Sequence, residues 1–362
     1  MDIIINHQKI QSALRVIERL VSKNISLPIL NTILLKTDGA RLRLSATNLE
    51  FGINYWIPAK VNKNGEIAVP VRVFSDFFNN IYDEKLSLSV NKNIITINSD
   101  NYKTKILGME TKDFPLIPKS QSELRFKINS QSLKGGLLGV LEAASLSETR
   151  PEIGGIFINI NKNKAEFAAT DSFRLAEKII NLNSEVSKSF IIPRNTAIEI
   201  VRILENINED LSLNISDNQI FIYGNEFEFI SRLIDGHYPE YKKIIPDKYI
   251  SLVKINKVNL EKNIRMASIF SSSISDVKLK ADNNNLQITA QNNDRGEIVA
   301  NIACLTKEIP FEVSVNYHYL LDGLKLISTE NVIINFSGDG SPLVLKGEEN
   351  KDQTYVIMPL RK

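Results

Sequence analysis

The chain has 362 residues, 43% of them hydrophobic and 24% charged, with a formal net charge of +2 from 44 basic and 42 acidic side chains. That length predicts two or three domains, and that composition predicts a globular chain with a real core, which excludes a disordered or fibrous protein. One cysteine, Cys304, excludes an intrachain disulfide, and three scattered histidines, His7, His237 and His318, supply no local zinc spacing.

At the N-terminus, "MDIIINHQKI" has no basic stretch ahead of an apolar core, so it does not read as a signal peptide. The sequence holds no apolar run of about 18 residues, so no membrane-spanning helix is expected. These features together predict a cytoplasmic protein without membrane contact. The balanced charge neither requires nor excludes nucleic acid; placement of the cations has to decide.

The first predicted elements are a strand and a helix in "IIINHQKIQSALRVIERLVS" from Ile3. Leu14, Ile17 and Val21 mark the buried helix face, and Arg15, Arg19 and Lys23 recur every four residues on the opposite face. Strands follow up to the polar turn in "LSATNLEFGI". Next comes a strand leading into a helix, "IAVPVRVFSDFFNNI", with Arg72 near the helix start. The alternating strands of "LSLSVNKNIITI" end at the proline-containing segment Asp113–Glu123.

The same series then starts again. "FKINSQSLKGGLLGVLEAAS" from Phe126 and "VKINKVNLEKNIRMASIFSS" from Val253 repeat the opening, with Asn6, Asn129 and Asn256 in matching places. "FAATDSFRLA" and "ITAQNNDRGE" repeat the polar turn, so that Thr47, Thr170 and Gln291 correspond. "FIIPRNTAIEIVRIL" and "FEVSVNYHYLLDGLKLI" repeat the second helix. The period is roughly 120 residues, and three blocks recur in one order. The expected domains are 1–119, 125–246 and 250–362. The expected fold is α+β, three tandem copies of a unit with two helices packed on antiparallel sheets.

The polar cluster Thr170, Asp171, Ser172 and Arg174 admits a catalytic reading. Its repetition favours a structural turn, because a catalytic group does not need its scaffold three times. No histidine lies nearby in sequence, and no glycine-rich phosphate loop or nucleophile elbow is present. No catalysis and no cofactor are therefore expected. Cations gather on the equivalent helices of the copies. One reading is a solvated helix face. The other is a joint surface that meets phosphates without reading sequence.

"LPILNTILLKT" (Leu27–Thr37), "ATDSFRLA", "SRLIDGHYPEYKKIIP" (Ser231–Pro246) and "YVIMPLR" (Tyr355–Arg361) carry a resemblance over the whole length. The chain resembles the bacterial sliding clamp family, the beta subunit of DNA polymerase III. The resemblance implies a head-to-tail homodimer whose two chains close into a six-domain ring, helices inside and sheets outside. Double-stranded DNA would pass through it without sequence-specific contact. The replicative polymerase's alpha subunit, other polymerases, repair proteins and a clamp loader would dock outside.

On the DNA side the assignment is Arg15, Arg19, Lys23, Arg72, Arg194, Lys262 and Arg265, with Asn316 and Tyr319 at family positions near DNA. A peptide groove is carried over as Ile153, Thr170, Ser172, Phe173, Arg174, Leu175, Pro239, Lys243, Ile244, Pro342, Leu343, Val356, Ile357, Met358, Pro359, Leu360 and Arg361. Ring contacts are carried over as Lys103, Lys105 and Ile106 against Ile269, Phe270 and Glu297. The family usually has Gly-His where this chain has Ser172-Phe173, which predicts an altered peptide preference. An enzyme, or a peptide-binding adaptor without DNA, are the rival classes. DNA retention on a nicked circle, lost on linearisation, separates the clamp from both.

Overall fold

The computed structural model describes residues 1–21, 26–120, 125–147 and 149–360. Its α-helices are α1 (His7–Ile17), α2 (Val71–Asn79), α3 (Ser130–Leu138), α4 (Arg194–Ile203), α5 (Lys257–Ser268) and α6 (Tyr317–Leu326). The repeated asparagines are their start signals. Asn6 Oδ1 accepts from Lys9 N at 3.3 Å, Asn129 from Gln131 N at 3.0 Å, and Asn256 from Asn259 N at 3.1 Å. Asn316 does the same for His318 N at 2.9 Å. Each satisfies an amide that the first helical turn leaves unpaired. The second and fourth helices instead follow Pro70 and Pro193.

Helix α1 buries Ile10, Ala13, Leu14 and Ile17, as its period requires. It stops at Ile17, because Leu20 turns into the core, with 2% of its surface exposed, and its N–H caps the Ile17 carbonyl. The helical stripe expected through Arg15, Arg19 and Lys23 is therefore corrected: Arg19 lies beyond the helix, and Lys23 lies outside the described residues.

The chain forms two compact units. The first comprises residues 1–131 and 199–233. It is built on a twelve-stranded sheet in which the 13-residue strand Phe51–Lys63 is the hub. That strand pairs with Asp2–Asn6, with Arg41–Thr47 and, on its other edge, with Phe227–Arg232. Residues 51–63 belong to the first sequence copy and 227–232 to the second, so one continuous ladder joins two copies. Lys103–Leu107 is a terminal strand of this sheet.

The second unit comprises residues 132–198 and 234–362. It has a nine-stranded sheet, in which Arg174–Asn181 of the second copy pairs antiparallel with Gln353–Ile357 of the third. It also has a four-stranded sheet in the order Gly296–Ala303, Asn285–Asn292, Asp276–Asp282, Phe311–Asn316. The units cut through the middle copy because strand pairing across each copy junction is unbroken.

Helices pack closely on these sheets. A Cβ placed on Gly323 of α6 would stand 2.5 Å from the Tyr355 ring, and one on Gly136 of α3 would stand 2.5 Å from Phe167. Only glycine lets the helix come this near. Tyr355 and Phe167 are fully buried beneath them.

Candidate functional site

The polar turn is a hydrogen-bonded cap. Thr170 Oγ1 donates to the Arg174 carbonyl at 2.6 Å and accepts from Ser172 N at 3.2 Å. Asp171 Oδ1 accepts from the amides of Phe173 and Arg174 at 2.9 and 3.0 Å. Ser172 sits at φ +78°, a left-handed position that suits glycine better. The Thr170 hydroxyl and the Asp171 carboxylate, two of the side chains that suggested chemistry, are thus engaged in holding the turn.

Arg174 then reaches outward. Its Nε donates to Asp171 Oδ2 at 2.9 Å, its Nη1 to Asp322 Oδ2 at 2.5 Å, and the guanidinium lies 4.8 Å from the Tyr319 ring centroid. Burial opposes its charge, but Tyr355, Asp322 and Asp171 more than compensate, and its affinity for the proton is raised. At Asp322 burial likewise opposes ionisation, and Lys325 and Arg174 overcome it and hold the carboxyl below its usual range. Tyr319, expected near DNA, thus stands with Arg174.

Next to this turn runs the C-terminal strand. Leu175 faces Val356, and Arg174 faces Ile357, in the antiparallel register. Met358 N donates to the Phe173 carbonyl at 2.8 Å and Leu360 N to the Ser314 carbonyl at 2.8 Å, which fixes the path of the tail. The short helix Tyr241–Ile244 is anchored by Tyr241, which packs against Leu175 and Val356 and donates to Glu177 at 2.8 Å. This brings the turn, the 239–244 segment and the tail to one place.

The expected groove residues divide by exposure. Ile153, Thr170, Leu175, Leu343, Val356 and Ile357 are buried, and serve as floor or core. Ser172, Phe173, Pro239, Lys243 and Ile244 are exposed, while Arg174, Pro342, Met358, Pro359 and Leu360 are half-buried. Phe173 is 60% exposed, a large apolar surface for a ring with no ring contact among the described residues. Arg361 lies outside the described residues. Sequence reasoning missed Tyr241, Tyr238 and Phe157, whose rings stack beneath the site. The aromatic spacing in "HYPEYKK" was the available signal.

Among the cations, Arg15 and Arg19 share the wall of a cavity of about 510 Å3 with Arg202, Tyr55 and Glu226. Arg202, left out of the sequence assignment, donates to Glu199 at 2.6 Å. Arg72 is exposed on α2, and Lys262 and Arg265 are exposed on α5. Arg265 is tied to Glu261 at 2.6 Å. Arg194 is half-buried at the start of α4, with its Nε buried and unbonded. Asn316 is engaged in capping α6.

The two strands expected at the ring contact, Lys103–Leu107 and Gly296–Ala303, are each terminal in their sheet. On Lys103–Leu107, Lys103 and Lys105 are exposed and Ile106 is already buried in its own chain; Leu107, at 74%, is the exposed apolar side chain. On Gly296–Ala303, Glu297 is exposed, and Ile269, 52% exposed, stands near it through the contact of Arg295 Nη1 with the Ile269 carbonyl at 3.4 Å. Phe270 is half-buried beside Gly296. Among the described residues, no cluster of three His, Cys, Asp or Glu can hold a metal ion. No helix is long and apolar enough to cross a membrane.

Comparison with known proteins bears on all three copies. The DNA polymerase III beta subunit N-terminal domain matches residues 1–118, the central domain 127–240 and the C-terminal domain 242–361. Among relatives, the beta sliding clamp of Staphylococcus epidermidis is 27% identical over 94% of both chains. That of Synechocystis is 26% identical, covering 100% of this chain and 99% of the relative. A sliding clamp structure from Pseudomonas aeruginosa superposes with a TM-score of 0.96 at 24% identity, and one from Bartonella birtlesii, bound to griselimycin, with 0.94 at 26%; each covers 100% of both chains.

Proposed function

The chain belongs to the DNA polymerase III beta subunit family, and from that premise we propose that it is a DNA sliding clamp that closes as a two-chain ring. It is a non-catalytic processivity subunit: it makes and breaks no bond, and raises the polymerase's effective concentration at the DNA by holding it there.

The observation that carries the ring is the pairing of copies along the chain. At the first junction Ser231 faces Phe51, and at the second Ile357 faces Arg174. These four residues occupy equivalent places in their copies. The counterparts of these strands, Lys103–Leu107 of the first copy and Gly296–Ala303 of the third, are terminal strands of their sheets. The third copy's turn is one residue longer, since Thr170 pairs with Leu175 but Gln291 with Glu297, so the same register sets Ile106 opposite Gly296 and Lys105 opposite Glu297 of a second chain. Lys105 then pairs with Glu297, and Leu107, Ile269 and Phe270 supply apolar contact. A head-to-tail contact used twice closes on itself. It also covers two edges that are otherwise templates for aggregation.

Duplex DNA is the occupant of the ring. Arg15, Arg19, Lys23, Arg72, Arg194, Lys262 and Arg265 are assigned to its phosphates, with Arg202 added. Long cationic side chains meeting phosphates give the same attraction at every base pair, which sliding needs; contacts to base edges would stall it. Tyr319, against Arg174, is given to the neighbourhood of the groove, and Asn316, the cap of α6, stays with the DNA-facing set.

The groove around Phe173, Arg174, Met358 and Leu360 takes short, partly apolar peptides. They come from the replicative polymerase's alpha subunit, the clamp loader, and other polymerases and repair proteins. Met358 and Leu360 adapt in shape, and backbone groups and Arg174 set direction. With Phe173 in place of a histidine, peptides with larger apolar residues are favoured. Work on chromosomal DNA puts the protein in the cytoplasm. Light scattering over a dilution series tests the ring: a mass near twice 40.8 kDa is expected. A monomer at micromolar concentration overturns it.

A further inference from the structure

The groove at the junction of the second and third copies has a counterpart at the junction of the first and second. Thr47 Oγ1 donates to the Phe51 carbonyl at 2.8 Å and accepts from Leu49 N at 3.1 Å. Asn48 Oδ1 accepts from the amides of Glu50 and Phe51 at 3.0 and 2.9 Å. These are the bonds of the Thr170–Arg174 turn, residue for residue. Leu49 sits at φ +76°, as Ser172 does at +78°. The strand Phe227–Arg232 lies on this turn's strand as Gln353–Ile357 lies on the other's, and the segment with Pro115 passes beside it as the one with Pro239 does.

A cavity of about 240 Å3 opens at this first junction, walled by Leu49, Glu50, Leu116, Ile117, Ile230 and Arg232 among others. It is smaller than the roughly 300–1,000 Å3 of a small-molecule site, and of a size to take side chains. Its rim is unusually apolar for a surface: Leu116 is 97% exposed and Leu49 47% exposed. It is also charged. Arg232 is exposed, and among the described residues no carboxylate pairs with its guanidinium. Glu50 stands on the same rim, its carboxyl pushed up by burial with no cation to offset it.

We propose that this cavity is a second peptide-binding groove, whose occupant is an extended segment of another protein. One bulky apolar side chain fills the slot between Leu49, Leu116 and Ile230. A neighbouring acidic side chain pairs with Arg232, and Glu50 accepts from the segment's backbone amides. Charge complementarity selects this occupant: an apolar face alone admits any greasy surface, but an unpaired cation beside the slot requires a carboxylate. With this groove, each chain holds two peptides at neighbouring junctions, so a partner with two such segments, or two partners with one each, can be held together. The inference rests on the peptide reading of the groove at Phe173 for the kind of ligand, and not for the site.

The probe is a fluorescein-labelled acetylated peptide with Asp-Leu-Phe between Gly-Ser spacers, titrated against the full-length protein. Wild type, Arg232→Glu, Leu116→Ser and Phe173→Asp are compared by anisotropy and by stoichiometry. All three substitutions are at exposed positions, and thermal melting checks each fold. Two peptides per chain are expected. Arg232→Glu and Leu116→Ser weaken one event about tenfold, and Phe173→Asp weakens the other. One peptide per chain, lost only in Phe173→Asp, overturns the second groove and leaves the first standing. One peptide lost only in Arg232→Glu upholds the second groove and removes the first. No binding at all overturns both. A change in assembly mass in Arg232→Glu with unchanged peptide binding means that another copy of the chain covers the site, and the proposal falls.

Discussion

Arg174 and Asp322 are joined at 2.5 Å, and this contact ties the polar turn of the second copy to α6 of the third. The same guanidinium holds Asp171 at 2.9 Å. Replacing Arg174 by alanine takes the guanidinium from two half-buried carboxylates, leaving Asp322 with Lys325 and Asp171 with the turn's amides. The expected loss is about 1–3 kcal/mol. Arg174→Lys should recover only part of it, because an ammonium cannot serve both carboxylates in a fixed fork. Urea midpoints for the two variants decide the matter. An unchanged midpoint in Arg174→Ala contradicts the role.

Acid should weaken the second unit through Glu166. Burial alone raises its pKa, but bonds from Lys164, Lys242 and Asn159 outweigh burial and bring it to about 2, from 4.5. A carboxylate whose folded pKa is depressed contributes stability that is complete above its unfolded pKa and is lost as pH falls through the folded one. The window is therefore between about pH 4.5 and pH 2. Both lysines are about half exposed, so solvent screening reduces the contribution to about 1–2 kcal/mol. Melting temperatures at pH 7 and pH 3 should fall further apart in wild type than in Glu166→Gln. Equal pH dependence in the two proteins contradicts this.

The ring register makes a covalent prediction. With Cys304 replaced by serine, Lys105→Cys together with Glu297→Cys should form a disulfide between chains on mild oxidation. Antiparallel partners lie within bridging distance. Neither single substitution should crosslink. A Thr104→Cys and Glu297→Cys pair is out of register by one and should react poorly. Efficient crosslinking of that pair, and not of the first, places the edges in another register.

DNA contact predicts a salt signature. Arg15→Ala and Arg72→Ala should each lower the slope of log affinity against log salt by about one, uniformly across sequences. Arg202→Ala and Arg265→Ala should do less, because Glu199 and Glu261 already engage their guanidinium groups. An equal effect at Arg265 rejects this ranking.

Much of this was legible in the sequence because the information was repeated. Three similar blocks gave the copies, six helices and the turn, and four motifs gave the family. What remained hidden depended on the third dimension. The length of α1 could not be read, because Leu20 leaves the helix to enter the core. Burial separated Leu175 and Val356 from Phe173 and Met358, which sequence ranks alike. On the edge strand Leu107 is exposed and Ile106 buried, because strand alternation decides which of two neighbours faces out. The resemblance put Tyr319 at a family position near DNA, and only the folded chain shows its ring against Arg174. The helix-start asparagines were visible as a repeat, and their capping role follows only from the backbone they meet.

The central claim is topological, and retention on DNA tests it most directly. The protein is loaded with a clamp loader and ATP onto a nicked circular plasmid and then separated from free protein by gel filtration. It should stay with the circle for many minutes, and it should be released when a restriction enzyme cuts the plasmid once. Equal residence on circular and linear DNA would mean that the chain binds DNA as a surface and does not encircle it.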